Sequence, residues 1–107
     1  MKGWIGVDLD GTLAQYHGWK DIDHIGDPVP AMLARVRDWL NEGIPVKIFT
    51  ARVCRDRNDV VHYIHAWCQK HGLPPLEVTN VKDFGMIELW DDRCVQVEPN
   101  TGRPIQG

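Results

Sequence analysis

The segment Ile5-Gly6-Val7-Asp8-Leu9-Asp10-Gly11-Thr12-Leu13 constrains this chain more than any other. It is an apolar run that ends in two carboxylates one residue apart, followed at once by Gly-Thr. Side chains alternate along a strand, so Asp8 and Asp10 would point the same way if the strand simply continued. Gly11 predicts a backbone turn that re-aims the second carboxylate over the strand end. Two carboxylates at the carboxyl end of a strand form a hard-oxygen cation site. One of them can also act as a nucleophile toward a phosphoryl group. The plain alternative is a capped turn whose acids merely face solvent.

Downstream, strand-like and helix-like stretches alternate. Residues 3–8 read as a buried first strand. Residues 14–27, with Tyr16, His17, Trp19 and several Gly and Asp, lack helical periodicity and read as a short flap. Asp27-Pro28-Val29-Pro30 opens a helix in which Met32, Leu33, Val36, Trp39 and Leu40 recur at helical spacing. Ile44–Phe49 reads as a second strand that stops at Thr50, and Ala51–Asp56 as an arginine-rich loop. Residues 57–71 form a second helix closed by Gly72 and Pro74-Pro75. Leu76–Thr79 and Met86–Trp90 are further strands, with a short one expected at Val95–Val97 and a loose tail at 100–107. The expected fold is α/β: a Rossmann-like parallel sheet with helices on both faces, built as a single domain over 1–107. In such sheets ligands bind beyond the carboxyl ends of the strands. Asp8, Thr50 and Asp91 each fall at such an end.

Thr50 offers a hydroxyl at a strand end, suited to a phosphate oxygen or to a plain cap. Lys82, in Thr79-Asn80-Val81-Lys82-Asp83, is a cation able to balance carboxylates and phosphate, though most such lysines are simply solvated. Asp91 and Asp92 follow Glu88-Leu89-Trp90; adjacent carboxylates repel, and a divalent cation removes that penalty. In this order and at these strand ends, Asp8-Leu9-Asp10-Gly11-Thr12-Leu13, Thr50, Lys82 and Asp91-Asp92 resemble the four motifs of the haloacid dehalogenase (HAD) superfamily. The resemblance spans nearly the whole chain. One departure is the short connection from Lys82 to Asp91, with eight residues between them.

The resemblance implies a Mg²⁺-dependent phosphomonoester hydrolase. Asp8 would be the nucleophile that forms an aspartyl-phosphate, and Asp10 the acid and then the base. Mg²⁺ would bind the Asp8 carboxylate, the Asp10 backbone carbonyl, and Asp91 and/or Asp92. Thr50 and Lys82 would hold phosphoryl oxygens, with backbone amides around Gly11 and Thr12 beside them. The gaps between motifs are too short for a cap domain, so an open site is expected. It would suit a phosphorylated small molecule or a nucleic-acid end, or be covered by another subunit in an oligomer. Tyr16 and Trp19 offer an aromatic wall for a base or sugar. Arg52, Arg55, Arg57 and Arg93 offer phosphate contacts, or pair with Asp56 and Asp59. The competing reading is a catalytically silent module that binds a phosphorylated ligand or a protein.

Composition narrows the class. A formal charge of −3 gives no general basic surface for long nucleic acid. No apolar run approaches the roughly 18 residues of a membrane helix, and the chain enters a strand at once, so neither a signal peptide nor a membrane span is expected. Three cysteines without CxxC or zinc spacing fit reduced thiols in a cytoplasmic protein.

Overall fold

Strand-length apolar runs that alternate with amphipathic helices pair in parallel, because each helix returns the chain to the same end of the sheet. The computed structural model describes residues 3–54 and 57–105. Arg55 and Asp56, considered above, lie outside the described residues, as do Gln106 and Gly107. In chain order the elements are β1 (Trp4–Val7), α1 (Pro30–Asn41), β2 (Val46–Phe49), a 3₁₀ turn (Ala51–Cys54), α2 (Arg57–Lys70), β3 (Glu77–Thr79) and β4 (Met86–Trp90). All pairings are parallel, and the strand order is β3-β2-β1-β4.

The helix ends follow the residues that make them. Pro30 opens α1, where a missing N–H costs nothing. Gly43 (φ +80°) and Gly72 (φ +78°) turn the chain out of α1 and α2 in the left-handed region. Ile44 N–H then donates to the Trp39 carbonyl at 2.9 Å, and Leu73 N–H to the Cys68 carbonyl at 2.8 Å.

Both helices lie on one face of the sheet, which corrects the expectation of helices on both. The chain steps β1, β2, β3 in one direction, and right-handed crossovers in one direction put their helices on the same side. The buried cluster agrees: Ile5, Val7, Val46, Ile48 and Val78 from the sheet meet Val36 of α1 and Val60 and Ile64 of α2. Arg37 Nη2 of α1 also reaches the His71 carbonyl just past α2, at 2.7 Å. Trp4 is buried but stands apart from that cluster, on the opposite face. There Lys47 Nζ lies 4.4 Å from the Trp4 ring centroid and 3.3 Å from Glu77. A side chain at Gly6 would meet Met86, Trp4 and Leu89.

The chain crosses that second face from β3 to β4 without a helix. Asp83 pins the crossing, its Oδ1 accepting from Trp4 Nε1 and from Gly85 N–H, each at 2.8 Å. The Trp4 bond, then the Gly85 amide, hold the Asp83 carboxyl below its ordinary pKa. The expected strand at Val95–Val97 is reduced to an isolated bridge from Val97 to Pro104. The described part of the expected tail folds back there, with Glu98 N–H on the Arg103 carbonyl and Ile105 N–H on Gln96.

The flap closes on itself. Gln15 N–H donates to the Asp27 carbonyl, and Val29 N–H to Leu13. Gly26 passes so close to Gln15 that a Cβ there would lie 2.1 Å from the Gln15 carbonyl oxygen. Trp67 Nε1 of α2 donates to the Gly26 carbonyl at 2.9 Å, tying the flap's end to the core. Trp67→Phe keeps most of the packing but leaves that carbonyl without its partner. It should lower unfolding free energy by about 1–3 kcal/mol, read from urea denaturation.

Candidate active site

Pairing of β1 with β4 builds the acidic centre. Val7 lies opposite Trp90, and Asp8 N–H donates to the Trp90 carbonyl at 2.8 Å. Asp8 and Asp91 therefore leave adjacent strands side by side. One carboxylate oxygen from each of Asp8, Asp91 and Asp92 falls within 4.8 Å of the others.

Gly11 and Thr12 explain why Gly-Thr follows the second acid. Gly11 has φ +94°, and a Cβ there would sit 2.5 Å from Asp92 Oδ2. A side chain there would be strained at this φ and would push the Asp92 carboxylate aside. Thr12 Oγ1 accepts from Asp92 N–H at 3.0 Å and donates to Asp8 Oδ2 at 3.1 Å. It thus fixes one oxygen of Asp8 while stitching the β1 turn to the β4 end. The remaining bonds of the turn run to the Asp8, Leu9 and Ala14 carbonyls, which leaves the Asp10 carbonyl outside them.

Burial pushes the Asp8 carboxyl up to about 7, helped by the charge of Asp91 and by the Asp92 contact, against the lowering effect of Thr12. Cys94 feels the same neighbourhood: burial first, then the charges of Asp91, Asp8 and Asp92, push its thiol up.

Asp10 is turned away from this cluster. Its oxygens accept from Arg52 Nε at 2.7 Å and Arg52 Nη2 at 2.8 Å, a two-point fork. The acid's side chain therefore offers no ligand to the Asp8–Asp91–Asp92 group; what it leaves for a cation is its backbone carbonyl. Arg52 was expected at the substrate, and its side chain, 6 % exposed, is instead engaged by the protein itself.

These groups line one cavity of about 880 Å³, together with Tyr16, Trp19, Thr50, Asn80 and Arg93. Thr50 is buried at the end of β2, and its hydroxyl accepts from Arg52 N–H at 3.2 Å. Tyr16 and Trp19 are 40 % and 54 % exposed at the rim. A smaller cavity of about 230 Å³ lies beneath the flap and shares Asp10, Tyr16 and Arg52 with the first.

The structure does not bring Lys82 to this cavity. It is exposed on the crossing from β3 to β4 and forms no ion pair among the described residues. With no helix after β3, the chain turns back along the open face right after Asn80. Asn80 itself lines the cavity, and sequence reasoning passed over it. Its signal was available: like Thr50 and Asp91, it is a polar residue directly after a strand. Arg57 also serves the fold, Nη2 donating to the Val78 carbonyl at 2.9 Å.

The raised pKa of Asp8 makes a stability prediction. Between the ordinary value of 3.8 and about 7, the unfolded chain releases this proton before the folded one does. Stability contributed by the neutral form is therefore full below 3.8 and lost as pH rises toward 7. Without divalent ions, Asp8→Asn should melt a few degrees higher than wild type at pH 8, and by less at pH 5. Mg²⁺ should stabilise wild type more than the variant. Thermal melts with EDTA and with Mg²⁺ check both.

No helix among the described residues is long and apolar enough to cross a membrane. No protein-family model matches the chain, and no curated protein matches it. A solved structure of a conserved protein from Bacteroides thetaiotaomicron is similar, with a TM-score of 0.66 and 19 % identity over 89 % of this chain and 79 % of that one. At that identity the likeness is one of fold: the chain is an α/β protein built on a parallel sheet.

Proposed function

We propose that this chain is a small, capless Mg²⁺-dependent phosphomonoesterase of the HAD superfamily, acting through an aspartyl-phosphate on Asp8. The observation that carries the reading is the gathering of Asp8, Asp91 and Asp92 at the strand ends, with Thr12 joining Asp8 to Asp92 and Gly11 packed against Asp92.

The donor set fits Mg²⁺. It consists of hard oxygens, few enough to leave positions for water and phosphate. Asp8, Asp91 and Asp92 would hold the cation together with the Asp10 carbonyl. When bound, it neutralises the cluster and the charge gathering on the transferring phosphoryl group.

The chain's own groups divide the remaining work. The Asp8 oxygen not held by Thr12 attacks phosphorus, forming the acyl-phosphate bond as the ester P–O bond breaks. Asp10 acts in its neutral form, which still accepts from Arg52 through its oxygen lone pairs, and gives its proton to the departing oxygen; water then attacks phosphorus, a proton passes from that water to Asp10, and Asp8 returns as a carboxylate. The Thr50 hydroxyl and the Asn80 amide donate to phosphoryl oxygens. Arg93 supplies positive charge at the wall, in the role assigned above to Lys82. The substrate class is a phosphate monoester on a small molecule or a nucleic-acid end, with Tyr16 and Trp19 stacking on its base or sugar. The large opening and the absence of a cap among the described residues favour it.

Phosphate release from an aryl phosphate, a nucleotide panel and 3′- or 5′-phosphorylated oligonucleotides, with Mg²⁺ and with EDTA, tests this. Turnover should require Mg²⁺ and fall by orders of magnitude in folded Asp8→Asn. Thr50→Val should cost about 10²-fold in kcat, and Lys82→Ala less than about tenfold. Release that survives Asp8→Asn would refute the mechanism. No release from any ester would turn the reading to the silent phosphate-binding module.

A further inference from the structure

Arg52 is engaged from three sides. Its fork takes both oxygens of Asp10. Its Nη1 donates to the Ile22 carbonyl at 3.1 Å, and Nη2 also reaches the His24 carbonyl at 2.9 Å. The Trp19 ring centroid lies 4.9 Å from the guanidinium carbon. Among the described residues, these are the hydrogen bonds that tie flap residues 17–24 to the rest of the protein. The flap's other ties, Gln15 to Asp27 and Gly26 to Trp67, sit at its two ends.

We propose that Arg52 is the positioning residue of Asp10 and the latch of the flap, so that the acid and residues 17–24 are held as one unit. A guanidinium is suited to this as an ammonium is not. It is planar, permanently charged and offers donors in fixed directions. One edge grips a carboxylate while the remaining N–H groups reach two backbone carbonyls. Its small exposure raises the cost of leaving it unpaired, so removal of either Asp10 or the flap contacts destabilises the other. The same engagement keeps Arg52 from acting as a free phosphate clamp.

The kinetic consequence rests on the phosphatase reading, whereas the structural one does not. Hydrogen exchange of the flap in Arg52→Ala, Asp10→Ala and the double variant tests the coupling without any turnover. Exchange across 17–24 should rise in each single variant, and the double should add nothing further. An unchanged flap in Arg52→Ala overturns the latch. A flap loosened by Arg52→Ala but not by Asp10→Ala overturns the coupling. Arg52→Lys, which keeps the charge without the fork, should behave like Arg52→Ala and serves if the alanine variant does not fold.

Two esters then test the positioning. A simple alkyl phosphate needs its leaving oxygen protonated, while an aryl phosphate with an acidic phenol does not. Arg52→Ala should lose about 10²-fold or more in kcat on the alkyl ester and less than about tenfold on the aryl ester, with little change in KM on either. Added guanidinium should restore part of the alkyl activity. Equal losses on both esters, or a loss confined to KM, overturn the positioning role. Absence of turnover of these esters and of every ester in the panel above refutes the phosphatase reading, and the exchange result then decides the latch alone.

Discussion

Three carboxylates crowded at the ends of two paired strands repel one another, and much of the chain's first turn answers that repulsion. The parallel pairing of β1 and β4 makes the crowding unavoidable, since Asp8 is bonded to the Trp90 carbonyl and Asp91 comes next. The Thr12 hydroxyl donates toward Asp8 Oδ2 at 3.1 Å, with Asp92 Oδ1 at 3.4 Å, while its oxygen accepts from Asp92 N–H. Gly11 gives the Asp92 carboxylate the space a side chain would occupy. Burial then drives Asp8 toward its neutral form, which relieves the cluster when no cation does. Binding and folding are thus linked at one point: whatever neutralises the centre also stabilises the chain.

The second acid is handled differently because it lies across the turn. Asp10 faces Arg52, and Arg52 faces the flap, so this guanidinium is given to one carboxylate and not to the three-acid cluster. The result is a site with two electrostatic halves, one a cluster of three carboxylates and one already paired. The fourteen-residue flap has no hydrophobic core of its own: its ends pack on the domain core through Ala14 and Ile25, and its middle is held by the contacts to Arg52.

The one-sided sheet has consequences for reach. With both helices on one face, the opposite face is left to Trp4, Lys47, Met86 and Leu89 and to the crossing that Asp83 pins. Lys82, exposed on that short crossing, is not among the residues that line the cavity. The same brevity leaves Asn80 as the group that β3 presents to the cavity.

The amino-acid sequence by itself determined the alternation of strands and helices, the helix stops at Gly43 and Gly72, and the placement of Asp8, Thr50 and Asp91 at strand ends. Those properties rest on local periodicity and turn chemistry, which neighbouring residues carry. It also marked Gly11 and Thr12, because a glycine directly after paired acids signals a turn. Tertiary structure alone decided three matters. Which face the helices share follows from strand order, and strand order is a property of pairings distant in sequence. Whether Lys82 or Asn80 meets the site depends on the path of a crossing that the short segment forces along the open face. Arg52's partners are a carboxylate 42 residues away and two backbone carbonyls. Carbonyls are the same in every residue, so no residue type could announce them.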